Sequence, residues 1–332
     1  TFSDRRSCCC RFLAKKNPMK KHAYIALVLL LGLASCTKEI DIQIPEYAPR
    51  LVVDGNIEAG SNPLVFLTTS NPTSDTVSLL NYLQSVVTDA SVFVVCANDT
   101  FYLEPVAINQ LTLSSQKRLA EMLRIELEEV QLLPIQVYTS TTLIGDEGRT
   151  YELNIQFEGK AYKGQTFLPA HTALDSLYWK READSIEYGY SWARLTDPSS
   201  SKDAYRWEVR RIDKQQNGTD LDAIFRRARR GIFSDEYFNG QTIEFYVQNP
   251  LKRKDSTHLK EYRRYFRFGD SVVVKLSKMD PAVYLYYDRM DAQLDANANP
   301  YATPINIPSN IPGCLGIWAG YTPWYDTLFC VD

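Results

Sequence analysis

Tyr151-Glu152-Leu153-Asn154-Ile155-Gln156-Phe157-Glu158 decides the fold class. Apolar residues occupy every second position with polar residues between them, the pattern of a strand with one buried and one wet face. Gly159-Lys160 supplies turn chemistry, and Ala161-Tyr162-Lys163-Gly164-Gln165-Thr166-Phe167 follows as the return strand of a hairpin. Upstream, strand-like runs recur at 51–57, 64–69, 91–95 and 100–103, the last two joined by a turn at Asn98-Asp99. Downstream, Tyr188, Tyr190 and Trp192 alternate, as do Tyr205, Trp207 and Val209. Ile243, Phe245 and Val247 form a further strand, 271–276 another, and 315–318 with 325–329 a last hairpin.

Helices are few. Leu119, Met122, Leu123, Leu127 and Val130 share one face of a helical insertion near 115–131, with Ser115 as N-cap and Pro134 as stop. An apolar stripe of this kind is expected to pack on the chain's own sheet, with Glu121, Glu128 and Glu129 away from it. Asp280-Pro281 opens a second helix, Asp280 capping and Pro281 in the first turn. The fold class is mostly β: two β-rich, sandwich-like domains with a few short helices, 47–170 and 171–332. Pro169 closes the first and Asp175-Ser176-Leu177-Tyr178-Trp179 opens the second, so the junction is expected at 168–175.

Ahead of these domains, Met19-Lys20-Lys21-His22 precedes an apolar run from Ala23 to Leu33 and the small-residue stretch Leu33-Ala34-Ser35-Cys36. A charged start, a short apolar core and small residues before a cysteine read as a lipoprotein signal peptide over 19–35, with Cys36 the expected lipidation site. Eleven apolar residues fall short of the ~20 that span a bilayer. Two or more acyl chains anchor stably, so the protein is expected at its membrane, tethered by residues 36–46. Residues 1–18, with Cys8-Cys9-Cys10 among arginines, read as sequence upstream of the true start. Beyond Ser35 the chain keeps 30 basic and 39 acidic residues, a net of −9. That balance and export argue against nucleic acid as a partner.

Chemistry is sparse. Of three histidines, His22 lies in the signal, while His171 and His258 lack metal-ligand spacing, so no metal and no cofactor is expected. The carboxylate pairs Asp146-Glu147, Asp220/Asp222 and Asp235-Glu236 carry no motif that marks catalysis or calcium binding. Cys96 ends an apolar run and is expected in a core. Cys314 and Cys330 flank the last expected hairpin and are candidates for a disulfide, which the sequence leaves open. Two basic clusters stand against the acidic chain: Arg226, Arg227, Arg229 and Arg230, and then Lys252, Arg253, Lys254, Lys260, Arg263, Arg264 and Arg267. They read either as a solvated strand face or as a partner-binding patch. Tyr188, Tyr190 and Trp192 read as cross-strand aromatic pairs or as a sugar-stacking platform.

Several of these stretches, in this order, resemble a family of Bacteroidetes-type lipoproteins known as domain of unknown function 4249. They are Leu51-Val52-Val53-Asp54-Gly55, Asp89-Ala90-Ser91-Val92, Gly148-Arg149-Thr150-Tyr151-Glu152-Leu153 and Asp175-Ser176. Phe233-Ser234-Asp235-Glu236-Tyr237-Phe238-Asn239-Gly240 follows, then 284–287 and Asn310-Ile311-Pro312-Gly313-Cys314-Leu315-Gly316-Ile317-Trp318. Cys314 and Trp318 depart from the glycine and phenylalanine of the pattern. The resemblance implies an outer-membrane lipoprotein of mostly β fold, often encoded beside TonB-dependent transporters, with no catalytic residues assigned. Lys38-Glu39 and Asp41 resemble the acidic signal that sends such proteins to the cell surface. Two functions follow as expectations: a non-catalytic accessory or ligand-binding partner of such a transporter, or a surface hydrolase acting on glycans or peptides.

Overall fold

The computed structural model describes residues 48–71, 79–251, 263–297, 299 and 301–332. Cys36, the segments 1–18, 19–35 and 36–46, and Lys252, Arg253, Lys254 and Lys260 lie outside the described residues. The first half contributes β1 (Leu51–Glu58), β2 (Leu64–Thr69), α1 (Leu79–Gln84), β3 (Ser91–Cys96), β4 (Asp99–Ala107), α2 (Leu113–Leu123), α3 (Leu127–Leu132), β5 (Gln136–Thr139), β6 (Arg149–Phe157) and β7 (Lys160–Leu168). The second half contributes β8 (Ser176–Arg181), β9 (Tyr188–Thr196), β10 (Ala204–Arg211), β11 (Arg226–Ser234), β12 (Thr242–Val247), β13 (Phe266–Arg267), β14 (Ser271–Met279), α4 (Pro281–Ala296) and β15 (Leu315–Phe329). The fold is mostly β. No helix among the described residues is long and apolar enough to cross a membrane.

The β6–β7 hairpin forms as its alternation dictates. Tyr151 pairs with Thr166 and Phe157 with Lys160, and Tyr151, Leu153 and Ile155 are buried. Glu158 and Gly159 both take left-handed backbone, φ 50° and 71°, the geometry of a two-residue hairpin turn. The turn between β3 and β4 falls one residue earlier than expected, at Ala97-Asn98, because Cys96 pairs with Asp99. The helical insertion is two helices rather than one. Thr112, not Ser115, caps α2 by accepting the Ser115 N–H, and the helix stops where Arg124 turns left-handed, φ 60°. Glu126 and Glu129 then form a reciprocal capping box that starts α3. Leu119, Leu127 and Val130 pack against Leu64, Phe66 and Val137 of the sheet. Asp280 caps α4, its side chain accepting the Ala282 N–H at 2.8 Å.

The last expected hairpin is instead a single strand. β15 runs for 15 residues without a break. Its first part pairs in parallel with β1, from Val52↔Leu315 to Glu58↔Tyr321, and its second part pairs antiparallel with β14, from Met279↔Tyr321 to Ser271↔Phe329. Pro323 is accommodated because β1 has ended opposite Tyr321, so one side of the strand has no ladder to interrupt there. This corrects the disulfide expectation as well. Cys314 and Cys330 flank the two ends of one extended strand, about 50 Å apart at ~3.3 Å per residue, where a bridge requires Cα atoms within about 7 Å. Cys314 is buried in one core and Cys330 in another.

The expected division into two domains at 168–175 is likewise corrected. Residues 48–332 form one compact unit. One eleven-stranded sheet, in the order β11-β10-β14-β15-β1-β2-β5-β4-β3-β6-β7, takes strands from both sides of Pro169, and the parallel β1–β15 pair joins them. Its β7 end returns over β15: Asn310 bridges the Gln165 and Trp318 carbonyls, and the Trp318 indole N–H donates to the Tyr151 carbonyl at 3.0 Å. Val53, Val94, Leu153 and Trp318 fill the core so enclosed. A second sheet, in which β9 pairs β8, β12 and β13, packs Leu195 and Phe266 against Trp207 and Val274 of the large sheet. α2, α3 and α4 cover the opposite face of the large sheet.

Candidate functional site

The helix-covered face is where the charge is. In β1, Leu51, Val53 and Ile57 enter the first core, and the alternation turns Asp54, Asn56 and Glu58 toward the helices. The ladder aligns Glu58 with Tyr321 and Lys275 with Glu208. Lys275, only 2 % exposed, places Nζ 2.8 Å from Glu58 Oε1, 3.8 Å from Glu208 Oε2 and 3.9 Å from Glu121 Oε2. Arg118 of α2 donates to the Asn56 Oδ1 at 2.6 Å and stands 3.7 Å from Glu58. Arg206 of β10 pairs with Glu208 at 2.6 Å, donates to the Tyr321 hydroxyl at 3.0 Å and lies over the Tyr287 and Tyr321 rings.

These groups line a cavity of about 290 Å³ between the sheet and helices α2 and α4. Asp54, Arg118, Glu121, Arg124 and Arg206 supply its charge, and Met122, Leu123 and Met290 an apolar side. Burial raises the Asp54 carboxyl to about 6 against the pull of Arg124 and Arg206. Burial likewise lifts Glu121 to about 7, with Lys275 opposing and Glu208 and Glu58 reinforcing. For Glu58 burial is outweighed by Lys275 and Arg118, which hold it at about 2. Burial would lower Lys275, but its three glutamates keep it charged and raised. The cavity thus mixes firmly ionised groups with carboxyls that titrate near neutrality.

Residues 37–323 match the family described as domain of unknown function (DUF4249). The chain belongs to that family. No curated protein matches the sequence. Among solved structures, a cycloalternan-degrading enzyme from Trueperella pyogenes in complex with cycloalternan is similar over 81% of this chain at 11% identity, with a TM-score of 0.21. This chain spans 34% of that enzyme, and likeness at that level carries no argument.

The DUF4249 chain distributes the residues singled out in its sequence over several places. Arg226 pairs with Glu126 at the start of α3, and Arg227 grips Asp291 of α4 through both guanidinium nitrogens. Arg230 and Arg264 are exposed and line one groove of about 450 Å³ beside Phe245 and Tyr246. Arg263 is exposed, and Arg267 stands 3.7 Å from Glu187. Arg229 lies on β11. His171 bonds Glu147 at 2.9 Å on the surface. Asp220 pairs with Arg210 and Lys214, and Asp222 with Arg211. Tyr190 and Trp192 meet Tyr246 across the strands, with ring centroids 4.7 and 5.4 Å apart.

The family segment 233–240 brings Asp235 into a buried trio with Asp197 and Asp203, whose carboxylate oxygens lie within 4.8 Å of one another. These are the described residues best arranged to hold a cation. Lys278 already stands 2.6 Å from Asp203, Tyr205 donates to Asp197 at 2.6 Å, and the Asp203 N–H donates to Asp235. Burial and the other two acids raise the Asp235 carboxyl. Neither this trio nor the charged cavity was anticipated from sequence. The one local signal was Lys275 in the apolar run Val272-Val273-Val274-Lys275-Leu276, a charge where a buried strand should carry none unless it is paired.

Proposed function

We propose that this DUF4249 protein is a lipid-anchored, non-catalytic binding accessory of a TonB-dependent outer-membrane transporter, receiving a small polar ligand in the cavity under α2 and α4. The observation that carries the reading is the cavity itself. It is concave, of metabolite size, partly apolar and equipped with a few convergent charges. Its acids Glu58 and Glu208 are engaged by Lys275, Arg118 and Arg206, which suits a binding wall. The lipobox at Cys36 and the tether at 36–46 support the membrane address, and Lys38-Glu39 with Asp41 support surface display. Anchoring two proteins to one membrane raises their effective concentration, so a weak contact is well occupied. The exposed Arg263 and Arg264, with the half-buried Arg267, are the candidate contact, steering encounter more than fixing affinity.

Co-purification after mild crosslinking of membranes tests the reading. Wild type is expected to recover a transporter, with recovery falling as salt rises, and Arg263→Glu/Arg264→Glu/Arg267→Glu to recover less, the difference narrowing at high salt. Recovery of no transporter from wild type removes the partner, and unchanged recovery by the triple variant removes the basic contact. Intact mass is expected to find acyl chains on Cys36, and Cys36→Ser to free the protein from the membrane.

A surface hydrolase acting on glycans or peptides is the second reading, favoured by one observation. Asp54 and Glu121, raised to about 6 and about 7, have the protonation of general acids. Against it, the ionised carboxylate beside them, Glu58, is held by Lys275 and Arg118 and is not free to attack or to activate water. Glycan or peptide turnover that Glu121→Gln abolishes would establish this reading instead.

A further inference from the structure

The ion network around the cavity closes on itself except at two groups. Arg118, Arg206 and Lys275 answer Glu58, Glu121 and Glu208, three cations against three acids in mutual contact. Asp54 and Arg124 are left over. Among the described residues Asp54 makes no side-chain hydrogen bond or ion pair, and Arg124 makes no ion pair, its one polar contact being the Met290 sulfur at 3.8 Å. Both line the cavity, and they lie close enough for Arg124 to hold the Asp54 carboxyl down against its burial. Arg124 is set there by the left-handed turn that ends α2, a conformation disfavoured for a residue with a Cβ. The wall has two further donors without a hydrogen bond, the Nε of Arg118, which is 8 % exposed and 3.7 Å from Glu58, and the Nε of Arg206. A buried polar group without a partner is costly.

We propose that the cavity binds a small zwitterion, an α-amino acid or dipeptide with an apolar side chain, its ammonium at Asp54 and its carboxylate at Arg124. The inference rests on reading the cavity as a ligand site and adds the ligand's class. Arg124 is exposed at the rim of the cavity while Asp54 is half-buried and unpaired, so a cation alone would engage only Asp54 and an anion alone only Arg124. A zwitterion answers both and brings no net charge into the cavity. A volume of about 290 Å³ limits it to a few residues at most. Met122, Leu123 and Met290 face the side chain, and flexible thioethers adapt to more than one shape.

Calorimetry on the full lipoprotein in detergent, with matched probes, tests the class. L-methionine and L-methionyl-L-alanine carry both charges, methioninamide only the ammonium, and N-acetylmethionine only the carboxylate. At least one zwitterion is expected to bind, with both half-analogues at least tenfold weaker. Asp54→Asn and Arg124→Gln are each expected to weaken it tenfold or more with unchanged circular dichroism, and Arg124→Lys to recover part of the loss. Half-analogues that bind as tightly as the zwitterions would overturn the inference while leaving the cavity a ligand site. Heat from none of the four probes, or unchanged affinity in both variants, would also overturn it. The crosslinking outcome then decides the accessory reading separately.

Discussion

At the residue scale, Lys275 and Asp54 mark the two ways a charge can sit beside this cavity. Lys275 is buried against three glutamates. Its removal leaves those acids uncompensated, and breaking a buried pair costs about 3–5 kcal/mol. Lys275→Met is therefore expected to lower the urea midpoint strongly, and a loss under about 1 kcal/mol would mean that solvent reaches the network. Asp54 behaves in the opposite way. Its carboxyl is raised from 3.8 to about 6 in the folded chain, with Arg124 of α2, Arg206 of β10, Tyr286 and Tyr287 of α4 and Tyr82 of α1 facing it. The folded state binds its proton more tightly than the unfolded state, so this contribution is full below pH 3.8 and is lost as pH rises through about 6. Asp54→Asn is expected to flatten that part of the stability profile and to gain at most about 3 kcal/mol at pH 7. A wild type and variant with parallel profiles from pH 4 to 7 would contradict the assignment. Lys275 left a local signal in its apolar run, but Asp54 was not legible as a site. Asp54, Asn56 and Glu58 alternate with apolar neighbours, so they read as a wet strand face, and the helices that cover that face come from distant sequence.

At the element scale, local chemistry was legible where it was self-sufficient. Alternation and a glycine turn gave β6 and β7, and Asp280-Pro281 gave the start of α4. β15 was misread because Gly320 and Pro323, between the two expected strands, look like turn residues, whereas a Cβ at Gly320 would meet β7 and Pro323 sits where β1 has ended. Gly316 has φ 88°, and a Cβ there would lie 1.9 Å from the Val53 carbonyl oxygen of β1. Gly316→Ala is expected to destabilise the chain by at least about 2 kcal/mol by prising β15 from β1. Gly218, at φ 82° with open space around it, is the control. Gly218→Ala is expected to cost only about 1 kcal/mol. Equal thermal shifts in the two variants would show that the close approach contributes nothing.

At the scale of the whole molecule, β15 stitches both halves of the chain into one sheet and borders both main cores. A single calorimetric unfolding transition is expected for residues 48–332, and two separable transitions would restore two independent domains. Peptide mapping without reduction is expected to find no Cys314–Cys330 bridge. The parallel β1–β15 pairing also makes the cavity possible, since it brings Asp54 and Glu58 of the first half beside Arg206, Glu208 and Lys275 of the second. Sequence order hides this, because about 220 residues separate Asp54 from Lys275. The most direct test of the central claim, that this shared cavity is a ligand site, is a crystal structure of the lipoprotein grown with L-methionyl-L-alanine. The account predicts the dipeptide between the sheet and α2 and α4, its ammonium on Asp54 and its carboxylate on Arg124. A cavity that holds only water, with the dipeptide absent or bound elsewhere, would contradict it.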